Sequence, residues 1–218
     1  MNPRCLTEEA LRLLRKIAPE MKACNAVLAG GTALALRLSH RISTDFDFFA
    51  PKPFDVNKIV SRFRRVRLSP EVRQANRRTL IAVFPESKFS LFCYPYPFLK
   101  TNRFEGVNVA SILDIASMKL AAITQRAEKR DFVDLYYILQ DMPFRKAAET
   151  LKARYGSAIS SLTIGKALVF FQEADDSPDP VFIGRGVLWE TVRRFFEKHV
   201  RQFVLDLEAA YTDAEPAH

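Results

Sequence analysis

A chain of 218 residues that is 48% hydrophobic has enough apolar content to core one large domain or two small ones. Its 33 basic residues outnumber 25 acidic ones, and the formal charge of +8 favours polyanionic partners such as nucleotides or RNA. Three scattered cysteines (Cys5, Cys24, Cys93) and only three histidines exclude a zinc framework. With no leader-like segment and no apolar run of bilayer length, a cytoplasmic protein with reduced thiols and no membrane partner is expected.

The first predicted element is an amphipathic helix over residues 6–24, with Leu6, Ala10, Leu13, Leu14, Ile17 and Met21 at helical spacing. Residues 25–29 read as a short strand and 33–38 as a helix, which leaves Gly30-Gly31-Thr32 on the turn between them. A turn without Cβ atoms lets backbone N–H groups approach an anion closely. The start of the next helix adds unpaired donors and partial positive charge. The following loop holds His40, Arg41, Ser43 and Thr44. Arg41 is placed either to touch a triphosphate or to brace the loop, while His40 reads as a loop histidine. Asp45-Phe46-Asp47 then opens a strand, where side chains two apart share a face. Asp45 and Asp47 are therefore expected to project together, with Phe46 and Phe48 packed behind them. Two adjacent carboxylates need a countercharge. A hard divalent cation, Mg²⁺ or Mn²⁺, shared with substrate phosphates is the natural choice. Phosphate cradle and carboxylate pair together point to a nucleoside triphosphate site.

Pro51 and Pro53 end that strand, and a helix is predicted over 55–65. Strands are predicted over 79–84 and 89–94, split by Pro85-Glu86-Ser87-Lys88 as a hairpin. Seven arginines lie between Arg62 and Arg78, a cluster able to hold an RNA backbone or simply to solvate a face. After a short strand at 108–110, residues 112–126 read as a helix carrying Lys119 and Arg126 two turns apart on one face. A second helix presents Asp131 and Asp134. Further helices are predicted over 145–155, 161–173 and 189–210, with a polar loop at 175–180 and a frayed end.

Gly-Gly, a helix and then Asp-x-Asp resembles the signature of the polymerase-β-type nucleotidyltransferase superfamily. The fuller run GGTALALRLSHRISTDFDFF is similar to the AbiEii/AbiGii-type nucleotidyltransferases, the toxin components of type IV toxin–antitoxin systems. DIASMKLAAITQRAEKRDFVDLYYIL, with its Lys, Arg and Asp-x-x-Asp, is a second match. The resemblance implies an α/β (α+β) fold. Its expected parts are a polymerase-β-like core with a small mixed sheet over 1–105 and a helical region over 106–218 that completes the active site.

By resemblance, the activity is metal-dependent transfer of a nucleoside monophosphate from NTP to a hydroxyl acceptor, such as the tRNA 3′ end or a protein side chain. Asp45 and Asp47 are the implied metal ligands. Gly30, Gly31, Thr32, Arg41 and Arg126 are the implied nucleotide contacts. Lys119 would offset charge on the transferring phosphoryl group. Asp131 would accept the attacking hydroxyl's proton, orient Lys119 or supply a metal ligand. The superfamily usually adds a third carboxylate on a later strand, but here the matching position is Ser90 or a neighbour, none of them acidic. That departure leaves open a second reading, a catalytically degenerate module that binds nucleotide, RNA or a cognate antitoxin protein.

Overall fold

Phe46, Phe48 and Ala50 are fully buried while Asp47 and Phe49 between them are half-buried. The run therefore forms a strand with one face in the core and the carboxylate on the other. In the computed structural model, which describes residues 1–212, this strand lies at the centre of a mixed sheet. The chain divides into two units, residues 1–111 and residue 112 onward.

The first unit contains α1 (Glu8–Ala23), β1 (Val27–Ala29), α2 (Gly30–Leu38), β2 (Phe46–Ala50), α3 (Val56–Arg65), β3 (Glu71–Asn76), β4 (Thr79–Phe84), β5 (Ser87–Cys93), β6 (Thr101–Phe104) and β7 (Val107–Ala110). Among the described residues, seven strands form one sheet in the order β3-β4-β5-β2-β1-β7-β6. β1 runs antiparallel to β2 and parallel to β7, and β2 runs parallel to β5. The outer pairs are antiparallel hairpins. Because β7 pairs with β1, the sheet unit extends through Ser111. Behind β2 the core is aromatic: Phe89 lies 5.9 Å from Phe48 and 5.6 Å from Phe63 of α3, ring centre to ring centre. Thr7 caps α1 by accepting from the Ala10 N–H, and Asp55 caps α3 by accepting from the Lys58 N–H.

The second unit contains α4 (Ile112–Ile123), α5 (Lys129–Gln140), α6 (Phe144–Tyr155), α7 (Ser161–Ala167), α8 (Gln172–Asp176) and α9 (Trp189–Thr212). Phe132 of α5 sits between Phe171 and Phe196, at 5.2 and 5.4 Å, and Phe144 of α6 stacks on Phe203 of α9 at 4.2 Å. Arg154 is buried and donates to the Asp114 carbonyl and to Ser117 Oγ, both at 2.7 Å, which joins α6 to α4.

Several predicted boundaries move. α2 starts at Gly30 rather than Ala33, so the two glycines form the helix's own first turn. Asp45 stands one residue ahead of β2. The helix expected over 112–126 ends at Ile123, and Ala127, at φ +41°, turns the chain. Residues 161–173 split into α7 and the start of α8. β3 is exposed along its whole length and so lacks the apolar alternation by which a strand is recognised. The expected frayed end lies outside the described residues. All three cysteines are free thiols, and among the described residues no helix is long and apolar enough to cross a membrane.

Candidate active site

In the first unit the site is built around Gly30. Its φ of +69° lies in the left-handed region that glycine adopts at little cost, and a Cβ there would stand 3.2 Å from Asp47 Oδ2. The head of α2 is thus laid against the Asp47 carboxylate. Ala29, at the N-cap, offers no side-chain acceptor to the first-turn N–H groups. A Cβ on Gly31 would collide with Arg41 Nη2 and come within 2.9 Å of Ser43 Oγ. The second glycine therefore makes room for the Arg41 guanidinium. Arg41 is only 5% exposed, and its Nη1 donates to the Ile42 carbonyl at 3.1 Å, so it braces its own loop.

Thr32 is buried in the same turn. Its hydroxyl donates to the Asp45 carbonyl at 2.5 Å and shares a 3.1 Å hydrogen bond with Ser43 Oγ. Ser87 Oγ donates to the Thr44 carbonyl, also at 2.5 Å. The backbone that delivers Asp45 is therefore pinned from two sides. The sequence does not single out Ser87, because a lone serine beside a turn carries no distinguishing pattern. On β5 the register partner of Asp47 is Ser90, 2% exposed, so the neighbouring strand sets a hydroxyl and no carboxylate opposite it. Among the described residues, no group of three or more His, Cys, Asp or Glu side chains is arranged to hold a metal.

The second unit gathers the other group. Lys119 of α4 reaches Asp131 Oδ1 at 2.8 Å and Asp134 Oδ2 at 2.6 Å, and all three side chains are buried. Asp131 and Asp134 fall one turn apart on α5, which sets both carboxylates toward one ammonium. Arg126 lies beyond the end of α4, so the two cations do not share a helix face. They converge all the same: Arg126 donates to Asp131 from Nε at 3.0 Å and Nη2 at 3.1 Å, while its own side chain is half exposed. Burial by itself pushes the Asp131 carboxyl up, but Lys119 and Arg126 together outweigh it and hold the group below its ordinary 3.8.

A mixed sheet whose central strand carries Asp47 against a glycine-headed helix is followed in the chain by a helical unit with a buried lysine, and a chain of this build matches the nucleotidyltransferases. The family model described as nucleotidyl transferase AbiEii toxin, type IV TA system, matches residues 12–102 and 75–212. The chain belongs to this family of nucleotidyltransferase toxins. An uncharacterized protein of Aquifex aeolicus is 34% identical over 212 residues, spanning 92% of this chain and 98% of the relative. Among solved structures, the nucleotidyltransferase toxin MenT4 of Mycobacterium tuberculosis superposes with a TM-score of 0.56 at 15% identity, over 94% of this chain and 91% of that one. JHP933 from Helicobacter pylori gives 0.53 at 19% identity, over 95% and 97%. At these identities the likeness is one of fold.

Proposed function

We propose that the chain transfers a nucleoside monophosphate from an NTP to a hydroxyl of RNA, with the tRNA 3′ end as the leading acceptor, and that a cognate antitoxin restrains it. The observation that carries this reading is the contact of Gly30 with Asp47: an uncapped helix head and a carboxylate occupy one spot. Triphosphate oxygens suit the N–H groups of that first turn, which no side chain caps. A divalent cation fits the donor set, since Mg²⁺ is commonly held by one or two carboxylates plus substrate phosphates. Asp45 and Asp47 would hold it, and it supplies charge neutralisation on the phosphates and an activated attacking oxygen. Thr32, Ser87 and Arg41 act on the loop, keeping Asp45 in place.

In the second unit Lys119 is the group suited to offset charge that builds on the phosphoryl oxygens. Of the roles open to Asp131, positioning Lys119 is the best supported. Its carboxylate already receives Lys119 and Arg126, and a group held below the usual carboxylate range is a poor proton acceptor near neutral pH.

Ser90 beside Asp47 favours one alternative, a nucleotide- or RNA-binding module without turnover. Label transfer from each α-³²P NTP to total tRNA or lysate, with Mg²⁺, separates the two. The transferase reading expects labelled RNA, with Asp45→Asn/Asp47→Asn at least about a hundredfold slower. Binding of NTP or RNA without transfer from any nucleotide would leave the module. Label on protein instead would move the acceptor to a side chain.

A further inference from the structure

The arginines between residues 62 and 78 are not absorbed by the site. Seven stand against a single acid, Glu71, in that stretch, and they supply most of a net charge of +8. Two have local partners: Arg62 donates to Glu20 at 2.8 Å, and Arg73 pairs with Glu71 at 2.8 Å. Arg64, Arg65, Arg67, Arg73, Arg77 and Arg78 are all exposed. A favourable interaction with the C-terminal dipole of α3 accounts for Arg62, Arg64 and Arg65 but not for the rest.

Arg77 and Arg78 form the two-residue loop between β3 and β4. Asn-Gly or Asp-Gly is the usual chemistry of such a loop, so neither arginine is there for the turn. The tip is rigid, because the Arg77 carbonyl accepts from the Phe54 N–H at 3.1 Å and the Arg78 carbonyl from the Cys93 N–H at 2.7 Å. Arg73 sits at the irregularity in β3–β4 pairing between Val72 and Gln74. A bulge and charged side chains on an edge strand discourage pairing with another strand, which argues against a peptide docking by strand addition.

The edge is also connected to the site through the sheet. Asp47 registers with Ser90, Ser90 with Ile81, and Ile81 with Gln74. These residues share one face, and Gln74 stands roughly 14 Å from Asp47 at three strand spacings. Arg73 is its chain neighbour at the bulge, and the Arg77-Arg78 loop lies in the row of Cys93 and Ala50, three residues along the strand from Asp47. We propose that edge strand β3 and its flanking arginines are the track that holds the phosphate backbone of the RNA acceptor beside the Asp45/Asp47 site. Guanidinium groups match phosphate oxygens two at a time, and a row of them along a strand suits a repeating anion. This rests on the reading that the acceptor is RNA.

The test is direct binding in the full chain carrying Asp45→Asn/Asp47→Asn, so that no turnover intervenes. Fluorescein-labelled unfractionated tRNA is titrated over a series of KCl concentrations, with thermal melts to confirm folding. Arg73→Gln/Arg77→Gln/Arg78→Gln is expected to weaken binding about tenfold and to reduce the slope of log K against log salt by roughly 2. Arg194→Gln/Lys198→Gln/Arg201→Gln on α9 removes the same charge and is expected to leave binding nearly unchanged. Equal losses in both variants, or none in the β3–β4 variant, would overturn the track. Displacement of tRNA by polyglutamate as readily as by polyuridylate would also overturn it and make the edge a dock for an acidic protein. Track-dependent binding without label transfer would sink the transferase and keep the track. Transfer to RNA with an unaffected β3–β4 variant would do the reverse.

Discussion

The two clusters of charged residues are built on opposite plans. In the helical unit, Lys119, Asp131, Asp134 and Arg126 form a set in which each buried carboxylate has a cation within 3.0 Å. In the sheet unit, Asp45 is positioned through its backbone, held by Thr32, and Asp47 is set against a glycine rather than a side chain that would fill the space. The first arrangement is a finished ion network, whose parts fix one another in a medium where charge is costly to strand. The second sets the Asp47 carboxylate against the glycine head of a helix, a composition that suits a cation and phosphates. A substitution in the helical cluster should therefore read out in stability as well as in activity, and one at the Asp45/Asp47 site mainly in activity.

The largest effect expected on this contrast is from Asp45→Asn/Asp47→Asn. The melting temperature should stay within a few degrees of the parent while label transfer falls at least about a hundredfold. A drop in stability as large as the drop in activity would break the comparison, because it would make the pair structural. Next comes Lys119→Met, which keeps volume but takes from Asp131 and Asp134 the ammonium they share, leaving Asp131 with Arg126. Removing one partner of a buried ion network costs about 3–5 kcal/mol, measurable by urea unfolding. Little change in unfolding midpoint would mean that the two carboxylates are not paired as described.

How far each plan could be read from sequence differs for physical reasons. Gly30, Asp45 and Asp47 are legible because their chemistry depends on residue type at short spacing, and period-2 alternation separates Asp47 from Phe46 and Phe48. Ser90 is legible as a departure, although only strand register shows it directly beside Asp47. Lys119 and Asp131 are legible as a motif, but the convergence of Arg126 is not, because it depends on a turn at Ala127 that helical periodicity runs straight through. The bracing by Thr32 and Ser87 is hidden for another reason. Hydroxyl groups take backbone partners in most loops, and nothing in their type says which carbonyl they will reach. Strand β3 escapes notice because an exposed edge lacks the apolar alternation that marks a strand.

Gly30→Ala tests the join of glycine turn and carboxylate with a smaller effect. The substitution puts a side chain into a left-handed backbone, at about 1–2 kcal/mol, and crowds Asp47 Oδ2. Transfer should fall by roughly tenfold to a hundredfold, since a small displacement of a reacting group is enough for that. Gly156→Ala, also at positive φ but with open space around it, supplies the control: backbone strain with no crowding of Asp47, transfer retained. Equal losses of transfer in the two variants would separate Gly30 from the site.

The finest discrimination comes from acid unfolding. Asp131 titrates below its ordinary 3.8 in the folded chain, so the unfolded chain takes up the proton first as pH falls. The stabilisation it provides is complete above the ordinary value and is lost as pH drops through the lower, folded one. Asp131→Asn removes that titration and strands part of the charge on Lys119, so the variant should be less stable at neutral pH yet lose less stability below pH 4. The difference in slope between the two proteins can be no more than one proton, about 1.4 kcal/mol per pH unit. Urea midpoints measured from pH 5 down to pH 2 would show it. Parallel acid limbs would mean that burial cancels the pull of Lys119 and Arg126 on this carboxylate, and the helical cluster would then be a packed network without net electrostatic preference for the charged form.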